Sequence, residues 1–307
     1  MYERIDAHLH ISSPAMLDVT DPVTGSVMRR SGCIELPDGF IVTTMPFYFV
    51  DAGFTAEMIV AAMDQCGVAR AVIQQGQFID RTRFVLEALR QYPDRFRGAM
   101  LPDLRDEAAC VASLERFRAQ GLGSVKLEMN ALGKLKPDFH FGLPIFDRLC
   151  AACAELGLPV TIDPGPIVGP AYRVEDLAAA ADRHPKLKLV ICHLGFPRPA
   201  PDSDPALRKR WREMIALGQR DNIYFDCAAM PDFFDQEGWP FPTALRMARE
   251  YMDLCGPGKL IWGSDLPGSM DHATYPQMIR MYEESGLFSE DELRMLFHDT
   301  AEKVYFS

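Results

Sequence analysis

Short apolar runs recur along this chain, and several of them end in an ionisable residue. In order they are "IDAHLH" (5–10), "ARAVIQQG" (69–76), "RFRGAML" (95–101), "GSVKLEM" (123–129), "LPVTID" (158–163), "KLKLVICH" (186–193), "NIYFDCA" (222–228) and "KLIWGSD" (259–265). Most are apolar at successive rather than alternate positions, the pattern of strands buried on both faces, as in parallel sheets. Between them the period lengthens. "TAEMIVAAMDQCG" places Met58, Ile59, Ala62, Met63 and Cys66 at helical spacing, with Thr55 as N-cap and Gly67 as stop. "RTRFVLEALRQYP", "DEAACVASLERFRAQG", "FDRLCAACAEL" and "RVEDLAAAADRHP" repeat the helical pattern. Strand and helix in alternation imply right-handed crossovers, and eight such units close a barrel. The expected fold is therefore α/β, a (β/α)8 TIM barrel forming one domain over residues 1–307. A turn-rich, aromatic stretch over 11–54 interrupts the first unit, and we expect it to be a lid; it carries Phe47, Tyr48 and Phe49.

Composition narrows the partners. The 307 residues are 48% hydrophobic and 24% charged, enough for a large core, and the formal net charge of −11 argues against nucleic acid or an anionic membrane. No stretch approaches the roughly 18 uninterrupted apolar residues of a membrane span. The start of the chain runs into the first strand without a basic leader, so a cytoplasmic location is expected. Eight cysteines are scattered without paired zinc spacing. Cys150 and Cys153 share a face of an amphipathic helix, where packing explains them better than redox chemistry.

In a barrel the chemistry belongs at the C-terminal ends of the strands. His8 and His10 end the first run, Lys126 and Glu128 the fourth, Asp163 the fifth, His193 the sixth, Asp226 the seventh and Asp265 the eighth. In an extended strand alternate side chains share a face, so Asp6, His8 and His10 are expected to project together. Two adjacent imidazoles suggest a metal; two polar residues on a solvated face are the alternative. Gln74, Gln75 and Gln77 end the second run and are candidates for the pocket. Arg198, in "GFPRPAP", offers a fork for a substrate carboxylate or is a solvated loop arginine. His272 follows "GSDLPGSMD" closely enough to reach the mouth.

The set "IDAHLH", "GLGSVKLEMN", "IFDRLCAACAELGLPVTID", "HPKLKLVICHLGFP", "NIYFDCA" and "LIWGSDLP", spread in barrel order over nearly the whole chain, resembles the amidohydrolase superfamily. The likeness is to its branch of amidohydrolase-related hydrolases, lactonases and non-oxidative decarboxylases. The resemblance implies one divalent metal ion held by His8, His10 and Asp265, with His193 and Asp265 moving protons. It departs at one position: where the family ends strand five in a histidine, this chain has Asp163. A carboxylate there changes the site's charge by one unit and tilts the preference from Zn toward Mn or Mg, and loss of the metal is the other outcome. Glu128 is a further candidate carboxylate ligand. Lys126 is expected to be unmodified, pairing with an acid or contacting substrate, rather than carboxylated between two metals. The implied activity is hydrolysis of a small carboxylated lactone, amide or related ring compound. Decarboxylation of an aromatic or muconate-type acid and a metal-free lactonase are the alternatives, and a homo-oligomer is compatible with the resemblance.

Overall fold

The computed structural model describes every residue except 1, 14, 16, 31, 51, 136 and 137, together with all side chains of the others but Tyr48 and Leu135. Eight parallel strands form the central sheet: β1 (Arg4–His10), β5 (Val68–Gln74), β6 (Phe96–Met100), β7 (Ser124–Glu128), β8 (Val160–Asp163), β9 (Leu189–Ile191), β10 (Ile223–Asp226) and β11 (Leu260–Ile261). Each pairs with its neighbour in chain order. The two outer strands meet through a parallel bridge between Leu9 and Leu266, supported by Ala7 N–H to the Trp262 carbonyl (3.1 Å), His10 N–H to the Leu266 carbonyl (2.7 Å) and Asp265 N–H to the His8 carbonyl (2.7 Å). The sheet is thus a nearly closed (β/α)8 barrel.

Local chemistry explains the crossover helices. In α1 (Ala56–Cys66) the Thr55 hydroxyl accepts from Met58 N–H, and Gly67 ends the helix at φ 64°. In α3 (Glu107–Ala119) the Asp106 carboxylate caps Ala109 N–H. Cys150 and Cys153 lie buried on the inner face of α5 (Pro144–Leu156), as packing residues. These helices bury their apolar stripes against the outside of the barrel, whose strands are apolar on that side too.

Inside the barrel, a smaller cluster closes the floor: Ile5, Ala7, Val72, Val190, Tyr224 and Ile261 from the strands, with Ala301, Val304 and Tyr305 from the last helical turns. Between β1 and α1, the long insertion contains a three-stranded antiparallel sheet, β2 (Val27–Arg30), β3 (Cys33–Glu35) and β4 (Ile41–Thr43). Met28, Ile34 and Leu36 from it pack on Ile79, beside the mouth. Phe47 is 82% exposed, whereas Phe49 packs edge-on against buried Phe54, with ring centroids 5.4 Å apart. Among the described residues no helix is long and apolar enough to cross a membrane.

Candidate active site

The first strand does not follow simple alternation. Pairing of β1 with β5 shifts register between Asp6 and Leu9, so Ala7 and His8 both turn inward while Asp6 faces the helices. There the Asp6 carboxylate accepts His8 N–H (3.1 Å), Ser264 N–H (3.0 Å) and the Tyr275 hydroxyl (2.9 Å). Asp6 therefore ties β1 to the segment after β11 from behind, instead of sharing the mouth with the histidines. Behind His8 the backbone is crowded: a Cβ on Gly263 would lie 2.6 Å from the His8 Cβ. Glycine at this position lets the two segments touch.

His8, His10, Asp163, His193, Arg198, Asp265, His272 and Glu128 all line one cavity of about 460 Å³ at the mouth. Ile34, Val42, Thr43, Thr44 and Met45 of the insertion form part of its wall. His8, His10 and Asp265 each offer one ligand atom within 4.8 Å of the others. His10 Nε2 is 3.1 Å and His8 Nε2 3.5 Å from Asp265 Oδ1. A second such group joins His8, His193 and Cys192. Neither group contains Asp163 or Glu128. Asp163 Oδ1 accepts Gly165 N–H (2.7 Å), and its Oδ2 stands 3.9 Å from His193 Nε2. Glu128 accepts Gln77 N–H at 2.8 Å.

The hydrogen bonds fix the tautomers. A carbonyl only accepts, so His10 Nδ1 carries the proton given to the Gln74 carbonyl (3.1 Å), and His193 Nδ1 the proton given to the Ala228 carbonyl (3.2 Å). His8 Nδ1–H donates to Asp226 Oδ2 at 2.9 Å. In each ring Nδ1 is thus held by a second partner, the arrangement that orients a metal-binding histidine; His10 Nε2–H donates to Asp265 Oδ1 (3.1 Å), a proton that a bound cation would displace. Burial, then the charge of Lys126, pushes His8 down to about 3, so its ring is neutral at physiological pH. Against the opposing effect of burial, the hydrogen bond and charge of His10, with His8 and His193, hold the Asp265 carboxyl below the usual range. Two imidazoles and a carboxylate gathered at one corner are the donor set of a divalent cation site, so the residues fit the implied metal.

Two of these residues sit in unusual backbone conformations. His193 has φ 59° and Asp265 φ 61°, the left-handed region that costs a side-chain-bearing residue about 1–3 kcal/mol. Backbone bonds hold them there: His193 N–H to Asp226 Oδ1 (2.8 Å) and Asp265 N–H to the His8 carbonyl.

Gln74 and Lys126 stand behind the cavity wall. The Gln74 side chain is buried, its Nε2–H donating to the Ala7 carbonyl (3.1 Å). Lys126 Nζ lies 3.0 Å from Cys192 Sγ and 3.4 Å from His8 Nε2. Burial opposes its charge, yet Cys192, Asp163, Glu128 and Asp226 keep its pKa above the ordinary lysine value. Arg198 is exposed at the rim, with one donor on the Asp232 carbonyl (3.2 Å).

Three residues at the site escaped assignment of a role from sequence. Asp226 is the hub that holds His8 and the His193 and Ala228 backbones. Asp232 lines the cavity, and burial together with Asp265 raises it to about 7. Arg81 lines it from the loop after β5. Position at or after the C-terminal end of β10 was the signal for Asp226 and Asp232.

The comparisons agree with this architecture. A family model described as Amidohydrolase matches residues 5–306. No curated protein sequence matches the chain. Among solved structures, a probable 2-pyrone-4,6-dicarboxylic acid hydrolase from Acinetobacter baumannii with citric acid bound is 18% identical, with all of both chains covered and a TM-score of 0.71. An amidohydrolase from Burkholderia multivorans with bound zinc is 17% identical over 99% of each chain, TM-score 0.71. The 5-carboxyvanillate decarboxylase of Sphingomonas paucimobilis is 18% identical, covering 80% of this chain and 82% of its own, TM-score 0.56. At these identities the structures establish likeness of fold, while the family match runs from within the first strand to the last helical turn and takes in every residue at the mouth: the chain is an enzyme of the amidohydrolase family.

Proposed function

We propose that this enzyme hydrolyses a small carboxylated lactone, amide or related ring compound with a divalent metal held by His8, His10 and Asp265. The observation that carries this reading is the convergence of two histidine ring nitrogens and one carboxylate oxygen at a single corner of the mouth cavity. A cation bound there polarises a carbonyl and makes water acidic enough to attack near neutral pH. Zn suits the imidazoles, and Mn or Mg becomes competitive if Asp163 also reaches the ion. Asp265 has a second carboxylate oxygen to take the proton of the attacking water. His193, with Nε2 3.9 Å from Asp163 Oδ2, relays a proton to the leaving oxygen or nitrogen, and the nearby carboxylate stabilises the imidazolium formed in transit. A structural neighbour supports the substrate class: it is a probable hydrolase of a pyrone dicarboxylic acid.

A metal-free lactonase is the second reading, favoured by Lys126, whose ammonium already stands 3.4 Å from His8 Nε2 and would repel a divalent cation. Decarboxylation, the activity named for a more distant neighbour, is separated by its product, since it releases carbon dioxide where hydrolysis takes up water. Metal analysis of purified protein beside Asp163→Ala tests the main reading. We expect stoichiometric metal in the wild type. Loss in Asp163→Ala makes Asp163 a ligand, and equal occupancy makes it the partner of His193. Full lactonase activity in metal-free protein overturns the main reading in favour of the second.

A further inference from the structure

Arg81 carries a charge that no side chain neutralises at contact distance. It stands in the loop between β5 and α2 (Thr82–Gln91) and is 4% exposed. Among the described residues it takes part in no ion pair within 4.0 Å, and its buried Nε has no hydrogen-bond partner. Glu128 and Asp80 act on it only through space. Leaving a buried guanidinium unpaired is costly, and such groups are retained where something else completes them.

One side of Arg81 borders the mouth cavity. The side chain lines the mouth cavity with Gly76, Phe78 and Glu128. A Cβ on Gly76 would come 3.4 Å from Arg81 Nη1 and 3.6 Å from each Glu128 carboxylate oxygen, so the glycine keeps the approach to the guanidinium clear. The loop presenting it is clamped on both sides. Arg81 N–H donates to Gln75 Oε1 (2.9 Å), and Gln75 Nε2–H in turn donates to the Ala99 carbonyl (2.7 Å). Gln77 is held by Glu128 Oε2 (2.8 Å) and the Lys126 carbonyl (3.0 Å), and Asp80 N–H by Asp21 Oδ2 (2.9 Å). A fork of donors fixed in place before any ligand arrives loses little freedom on binding.

We propose that Arg81 is the substrate's carboxylate anchor: its guanidinium grips a carboxylate through paired N–H donors, and the enzyme selects ring compounds bearing that carboxylate in the same cavity as the carbonyl to be attacked. The inference rests on the hydrolase reading for the location of the chemistry, but the anchor itself needs no metal. A planar fork suits a carboxylate better than the point charge of lysine. Arg198, exposed and bonded to a backbone carbonyl at the rim, is a poorer candidate for the same task.

The test is calorimetric titration with isophthalate, a flat ring carrying two carboxylates, and with its neutral diamide, using the protein as purified. We expect saturable isophthalate binding by the wild type and weakening of Kd by tenfold or more in Arg81→Met. Arg81→Lys should recover part of the affinity, and the diamide should bind equally poorly to all three. Thermal melts and metal content are measured on the same preparations. Because the replaced charge is unpaired, Arg81→Met should melt no lower than the wild type and keep its metal, which a merely structural arginine would not allow. Equal Kd values in wild type and Arg81→Met, or no saturable binding by the wild type, overturn the proposal. Arg81-dependent binding by protein that holds no metal leaves the anchor standing and removes the metal from the hydrolase reading.

Discussion

β1 brings Ile5 and Ala7 to the barrel floor and His8 and His10 to its mouth; β10 does the same with Tyr224 and Asp226. At the floor, apolar side chains from five strands and the C-terminal turns fill the interior, with a buried hydroxyl pair, Tyr305 and Thr161, joined at 2.8 Å. At the mouth, the same strands place a deprotonated buried histidine, two residues in left-handed backbone and an unpaired guanidinium. Each of these mouth features opposes folding. The comparison teaches that stability and chemistry are divided between the ends of one barrel, and that the apolar end must offset what the polar end costs.

Substitutions at the two ends should therefore separate activity from stability. The largest effect is expected from Asp265→Asn, chosen because asparagine tolerates the left-handed backbone. Turnover of a responsive lactone should fall by roughly 10³-fold or more, about 4 kcal/mol of transition-state stabilisation, while thermal melting stays close to wild type. Next, Tyr305→Ala at the floor should lower the unfolding free energy by about 3 kcal/mol in denaturant titration, with activity per folded molecule retained. A loss of activity in Tyr305→Ala matching that of Asp265→Asn would erase the division between the ends.

The third effect is read as a slope and concerns pH. His8 has its pKa pushed from 6.5 to about 3 in the folded state, so between those values the unfolded chain binds a proton that the folded one refuses. Its contribution to stability is fully present above pH 6.5 and declines as pH falls toward 3, by up to about 1.4 kcal/mol per pH unit. Unfolding free energies measured from pH 7 down to pH 4 should drop less steeply in His8→Asn than in wild type. Parallel slopes would mean that His8 is charged in the folded protein.

The barrel was legible because a parallel strand is apolar along its length and breaks that rule only where it reaches the mouth. "KLKLVICH" and "KLIWGSD" announce both the strand and the site residue that ends it, and β9 and β11 lie within those segments. What sequence periodicity misses is local irregularity. Strict alternation put Asp6 beside His8, but the register shift in β1 sends it to the helix side. The insertion was legible as a long segment and not as β2, β3 and β4, since strands of three or four residues carry too few positions to display a period. Arg81 was passed over because an arginine near a helix start reads as a surface residue. Its meaning comes from lacking a partner, which only three-dimensional packing reveals.

The union of β1 with the segment after β11 has a consequence for biosynthesis. His10 and Asp265 are 255 positions apart in the chain, so a ribosome must complete all eight strands before the two can meet. Any nascent fragment released earlier has imidazoles without their carboxylate and an open seam beside β1. Acquisition of a cofactor by this protein would then be a late event, reserved for molecules whose translation has passed the eighth strand.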